Sequence, residues 1–373
     1  MARSIFEDVS GEKTEVRAPK PKRKSARRAI AGWLMALFAL VVLMIVIGGM
    51  TRLTDSGLSI TEWKPVTGAV PPMNEAAWVV EFDKYKATPE YLHQNAGMTM
   101  AEFKGIFWWE WGHRFLGRFV GLVWFVGFVW FAVRRQIPTG WNGRLIGVGA
   151  LGGLQGAVGW WMVSSGLEGR MVDVASYRLA THLGLAFFIL GLIAWFVFEL
   201  RRESADLLQA RRRREIGLGG LTTVLVVVLF LQILLGALVA GIDAGRSFPT
   251  WPSMAGSFLP SESFDYVPMW SNFFENPALV QFNHRLLGYI AFAFGGYVWW
   301  RSRKSALAAV RSSYDWMIVL LFGQVVLGIV TVLYAAPVFV AIVHQLGAVT
   351  LFVLALKARF DAAFPAEQKI SRK

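Results

Sequence analysis

The sequence predicts an all-α integral membrane protein of eight transmembrane helices, arranged as two pseudo-symmetric four-helix bundles. Three observations predict it. Of 373 residues, 55% are hydrophobic and only 17% charged. The apolar residues gather into runs long enough to cross a bilayer, which takes about 20 of them. The two halves of the chain also repeat one another at a fixed offset. A soluble globular domain is excluded. The chain has no cysteine, which removes disulfides, iron–sulfur clusters, thiolate zinc sites and covalent c-type haem attachment. Any redox chemistry must rest on His, carboxylates or a bound cofactor.

Residues 1–29 read as a basic cytoplasmic tail, and its acidic Glu7, Asp8, Glu12 and Glu15 argue against an organelle transit peptide. The first span, Trp33–Met50, is expected to stay uncleaved, because no small-residue cleavage site follows it. It opens an N-terminal bundle over 30–200. An outer loop over 51–104 comes next, then spans Trp111–Val133, Leu145–Val163 and Leu179–Phe198. A basic cytoplasmic linker over 201–216 leads to a C-terminal bundle over 217–358. Its spans are Leu218–Ala240, Leu279–Trp300, Trp316–Tyr334 and Phe339–Leu356, and a cytoplasmic tail over 359–373 ends the chain.

Basic residues set the orientation. The tails and the segments 134–144, 199–215 and 301–311 carry 27 Lys and Arg, against 8 in the segments on the opposite side. Both termini are therefore placed in the cytoplasm, with 51–104 and 241–278 facing outward. The net charge of +13 is then mostly topology signal and attraction to anionic lipid headgroups. No nucleic-acid partner is expected, and the Arg211–Arg214 run reads as a solvated loop.

The internal repeat is extensive. Gly48, Asp55, Gly57, Ser59, Trp63, Gly68 and Pro72 recur 188 positions later as Gly236, Asp243, Gly245, Ser247, Trp251, Gly256 and Pro260. His113-Arg114-x-Leu116-Gly117 is echoed by His284-Arg285-x-Leu287-Gly288, and Gln155 and Gly159 match Gln324 and Gly328. Four spans per half is an even number, so the halves run parallel, related by an axis along the membrane normal.

Four of the five histidines sit near the outward ends of even-numbered spans: His113, His182, His284 and His344. The repeat maps His113 onto His284 and His182 onto His344. Ionisable groups inside a membrane are costly and usually face the bundle interior with a partner. Two imidazoles from two helices of one bundle can supply both axial ligands of a haem iron. Zinc fits less well, with two nitrogens per half and no Cys. One turn beyond each histidine stands a small residue (Gly117, Ala186, Gly288 and Ala348), leaving room for a flat ring. The competing role for these histidines is polar glue between helices; symmetric register in all four favours ligation. His93, in the outer loop without a counterpart, reads as a surface residue.

Glu110 stands three residues before His113, on the same face, whereas the matching position before His284 is Gln281. Proton chemistry needs a titratable group and electron storage does not, which points to reaction in the N-terminal half and relay in the C-terminal half. The competing role for Glu110 is an ion pair with Arg114, its neighbour one turn on. Arg114 and Arg285 point about 100° away from the ligands and suit haem propionates or interfacial snorkelling. The partner of Arg118 cannot be read from the sequence. Gly147-x-Gly149-x-x-Gly152 matches a dinucleotide fingerprint but lies inside an apolar helix, where close helix packing explains it better.

The outer-loop run Phe82-x-x-Tyr85-Lys86-x-x-Pro89-Glu90-Tyr91 continues through Glu102-Phe103-Lys104-x-Ile106-Phe107-x-Trp109-Glu110 to His113-Arg114-x-x-Gly117-Arg118. This series resembles the haem A synthase family, in the proteobacterial and mitochondrial subtype. Asn283-His284-Arg285-x-x-Gly288 and His344-Gln345 extend the resemblance across the membrane domain. It implies oxidation of a methyl group of haem O to the formyl group of haem A, for terminal oxidase assembly. It further implies haem b on His284 and His344, the substrate haem flanked by His113 and His182, and Glu110 as the functional acid. Some members carry an outer-loop Cys pair, which this chain lacks, so a thiol relay does not carry over. Two successive hydroxylations would give a geminal diol that loses water to the aldehyde. The electron donor stays unassigned; a haem O synthase and oxidase assembly factors are the expected protein partners. The alternatives are a non-catalytic bis-His cytochrome b that carries electrons, and a haem transporter.

Overall fold

A computed structural model describes residues 21–167, 169 and 171–366, and of residues 21–24 the backbone only. The first 20 residues of the expected basic tail, and residues 367–373 of the C-terminal tail, lie outside the described residues.

The described chain is helical, with one isolated bridge between Met254 and Ser257. Eight long helices dominate: α1 (Pro21–Leu53), α2 (Met100–Val133), α3 (Asn142–Val163), α4 (Ser176–Leu200), α5 (Ile216–Gly241), α6 (Pro277–Ser302), α7 (Ala308–Leu333) and α8 (Val338–Ala363). Among the described residues, seven of them are long and apolar enough to cross a membrane. This is an integral membrane protein. The remaining one, α6, has 26 residues, but Gln281, Asn283, His284 and Arg285 dilute its apolar run.

The helix starts follow local chemistry. A capping box opens α2: Thr99 Oγ1 accepts from the Glu102 backbone N–H, and the Glu102 carboxylate accepts from the Thr99 N–H at 2.8 Å. The helix therefore begins 11 residues before the apolar run that reveals it in the sequence, and Glu110 and His113 stand about three turns inside it. Asn276 caps α6 by accepting from Ala278 N–H and Leu279 N–H, and Pro277 takes the first turn, where its missing donor costs nothing.

Packing orders the helices simply. α1 packs on α2 and α4, and α3 lies between α2 and α4. Likewise α5 packs on α6 and α8, with α7 between α6 and α8. The two groups meet through α1, α4, α5 and α8. One apolar core runs through that junction, from Leu34 of α1 through Leu190 of α4 and Leu225 of α5 to Phe352 of α8.

Two features order the outer side. Helices Glu75–Lys86 and Pro89–His93 fold onto the start of α2 around Trp78, Phe82, Tyr85, Phe103 and Phe107. Phe103 stacks on Phe82 at 4.8 Å and on Tyr85 at 5.3 Å. The other feature is Arg52 at the end of α1, which donates to Asp55 at 2.7 Å and Asp243 at 3.0 Å and lies 3.5 Å from Asp173. Asp55 and Asp243 are repeat partners, and both adopt the left-handed backbone conformation, with φ of 49° and 52°. One arginine thus ties matching turns at the ends of α1 and α5.

Candidate functional site

The four histidines share one local arrangement. A Cβ built on Gly48 of α1 would lie 3.2 Å from His113 Nε2; one on Gly159 of α3 would lie 2.9 Å from His182 Cε1. In the second half, Gly236 of α5 stands 3.1 Å from His284 Cε1 and Gly328 of α7 stands 3.2 Å from His344 Cε1 by the same measure. Each imidazole lies in a cradle that any side chain would crowd. Gly48 pairs with Gly236 and Gly159 with Gly328 in the repeat, so the cradles are duplicated along with the histidines. His113 and His182 lie within electrostatic reach of one another, as do His284 and His344.

Three of the four imidazoles are also held by a glutamine. Gln155 Nε2 donates to the His182 backbone carbonyl at 3.0 Å and lies 3.2 Å from both ring nitrogens. Gln232 does the same for His284, at 2.9 Å from the carbonyl and 3.1 Å from Nδ1. Gln324 does so for His344, at 2.6 Å and 3.2 Å. The carbonyl oxygens of all three amides are buried without a partner. His113 makes no such bond among the described residues.

Glu110 is buried and fully engaged. Its Oε2 accepts from Ser59 Oγ and from the Ile60 backbone N–H, both at 2.7 Å. Its Oε1 accepts from Arg114 Nε at 3.0 Å and Nη2 at 2.6 Å. The ion pair weighed in the sequence as a competing role is therefore formed. Arg114 also donates to the carbonyls of Ile60 and Glu62 and lies over the Trp160 ring. Arg118 donates to the carbonyls of Lys64 and Pro65. Together they clamp the segment 59–65 onto α2.

The second half repeats the clamp without the acid. Arg285 donates to the carbonyls of Phe248 and Thr250, each at 2.8 Å, while its Nε is buried without a partner. Among the described residues, Gln281 reaches only the Phe248 carbonyl, at 3.4 Å. His93 is exposed. The small residues one turn past two ligands face the partner helix: Gly117 faces Met44, and Gly288 faces Gln232.

Above the site, Glu90 is a buried carboxyl whose Oε2 has no partner. Burial, then the neighbouring charges of Glu110, Asp173 and Asp55, push its pKa up to about 8. Further out, hydrogen bonds from Lys64 and Lys84 hold Glu62 below the usual carboxylate range.

Among the described residues no cluster of three or more His, Cys, Asp or Glu could hold a bare metal ion. Two neighbouring imidazoles suit an iron whose other ligands come from a porphyrin. The duplicated glycine cradles and the unpartnered amide oxygens beside the rings fit that group. Sequence reasoning found the histidines, Glu110 and the arginines, recorded Ser59 as a repeat match without a role, and missed Gln232 and Met44. It recorded the glycines, Gln155 and Gln324 only as repeat matches; the offset of 188 applied to Gln232 would have exposed Met44.

The family of cytochrome oxidase assembly proteins COX15-CtaA matches residues 31–356. The chain is 60% identical to the "Heme A synthase" of Dinoroseobacter shibae, over 97% of this chain and 96% of the relative. It is 58% identical to the protein of the same name from Ruegeria sp. (strain TM1040), over 99% and 98% of the two chains. The corresponding Cereibacter sphaeroides protein is 58% identical over 97% and 96%.

Proposed function

The chain belongs to the COX15-CtaA family of cytochrome oxidase assembly proteins, and from that premise we propose that it converts haem O to haem A, oxidising one methyl substituent to a formyl group. It is a membrane oxidoreductase. Near-full-length identity to proteins named for that synthesis carries the reading. All eight long helices span the inner membrane as two four-helix bundles, 30–200 and 217–358. Both termini lie in the cytoplasm and the histidines near the outer face. The closed order of packing within α1–α4 and within α5–α8 supports this division, as does the basic residue bias.

His284 and His344 hold haem b, and His113 and His182 hold the substrate haem O. Bound haem b supplies one-electron transfer. The protein's own groups do the rest. The Gly48 and Gly159 cradles fix where the first pair of imidazoles stands, and these imidazoles would hold the substrate. Glu110 carries the proton chemistry at Oε2, where Ser59 Oγ is the adjoining hydroxyl and Oε1 stays locked to Arg114. Gln281 cannot do this, which makes the second half a relay. The Nε of Arg285, unpartnered among the described residues, suits a haem propionate; its counterpart Arg114 is already paired with Glu110.

Co-expression with a haem O-producing enzyme, in a host lacking haem A, tests the activity. Extracted haems analysed by chromatography should contain new haem A. Unchanged haem O would instead indicate an electron carrier or a transporter.

A further inference from the structure

Glutamine amides sit beside His182, His284 and His344, and among the described residues none is hydrogen-bonded to His113. The repeat shows what replaced it. Gln232 lies four residues before Gly236 on α5; four residues before Gly48, its partner on α1, stands Met44. Both residues occupy the same place, Gln232 against Gly288 and Met44 against Gly117, one turn past the histidine in each half.

The difference is chemical. An imidazole bound to iron through one nitrogen must place its other N–H on an acceptor, and that bond fixes the ring and strengthens it as a ligand. The unpartnered Oε1 atoms of Gln155, Gln232 and Gln324 are such acceptors, brought to the ring when the amide turns over about its last side-chain bond. A thioether is a weak acceptor at best. His182 is therefore braced and His113 is not, although both face the same site.

We infer that Met44 leaves His113 as the releasable ligand of the substrate iron, so that the coordination position next to Glu110 opens while His182 keeps hold. This rests on the proposed placement of haem O between His113 and His182. It makes Met44 a positioning residue, acting through His113. The three glutamines are its counterparts: they keep His182 and both haem b ligands in place, as a relay that must stay closed requires.

Carbon monoxide binding to the dithionite-reduced full-length protein, carrying haem b and supplied with haem O, reads this directly. The haem O site of the unaltered protein should bind CO and the haem b site should not. Met44→Gln should lower CO binding at the haem O site about tenfold, the scale on which such partners act, and Met44→Leu should not. His113→Ala in the Met44→Gln background should restore CO binding. Gln232→Met should open the haem b site to CO. CO binding unchanged by Met44→Gln and by Gln232→Met, with haem content intact, overturns the inference. Haem O binding that survives replacement of both His113 and His182 overturns the underlying placement instead.

Discussion

Glu110 and Arg114 form a two-bond ion pair one helical turn apart, with Arg114 Nε and Nη2 at 3.0 Å and 2.6 Å from the same carboxylate oxygen. The pair leaves Oε2 to Ser59 and Ile60, so one oxygen anchors while the other meets the outer segment. Arg114→Ala strips a buried carboxylate of its counter-charge, a change that costs about 3–5 kcal/mol. Thermal unfolding in detergent should show that loss. Glu110→Gln keeps the shape but cannot carry a proton, so it should abolish haem A output at normal protein level, measured by haem extraction.

The glycine cradles predict a graded effect on haem retention. Gly236→Ala places a methyl group 3.1 Å from His284 and should weaken haem b binding about tenfold. Absorbance during imidazole challenge reads it. Gly217→Ala, in open space at the other end of α5, should change nothing.

Glu90 predicts a pH dependence. Its folded pKa, about 8, lies above the ordinary value of 4.5, so the folded protein holds a proton that the unfolded chain has released. Stability from this group is complete below pH 4.5 and falls as pH rises to about 8. Glu90→Gln should flatten that fall. Limited proteolysis of the outer segment across the pH range would detect it.

Arg52 predicts coupling between the two helix groups. Arg52→Ala leaves Asp55, Asp173 and Asp243 near one another with Arg246, 3.7 Å from Asp243, as the neighbouring cation, and should destabilise the protein by about 1–3 kcal/mol. Asp243→Asn in addition should recover part of that loss, because one of the repelling charges is gone; a thermal double-mutant cycle measures the recovery.

The site was partly legible in the sequence, for reasons that differ by residue. Histidine is rare in this chain, and four in register stand out against an apolar background. Glycine and glutamine are ordinary helix-packing residues in membranes, so Gly159 and Gln155 carried no visible role until the ring beside them was placed. Arg114 could be assigned a direction from helical periodicity, but its partners come from a loop about 50 residues away in sequence. The run from Phe82 to Phe107 marked the family; that it forms an aromatic nucleus over α2 depends on tertiary packing. The helix α6 was expected as an eighth span from its length and the repeat, but its polar outer turns keep it from being counted among the seven long apolar helices.

The junction of α1 and α4 with α5 and α8 has a consequence for assembly. Since a shared core and the Arg52 cross-link hold the two quartets, the peptide bond that joins them contributes little to their recognition. A gene cut between Arg211 and Arg214, with both fragments made in one cell, should yield halves that find each other and copurify in equal amounts. Covalent continuity would then serve mainly to keep their synthesis in step.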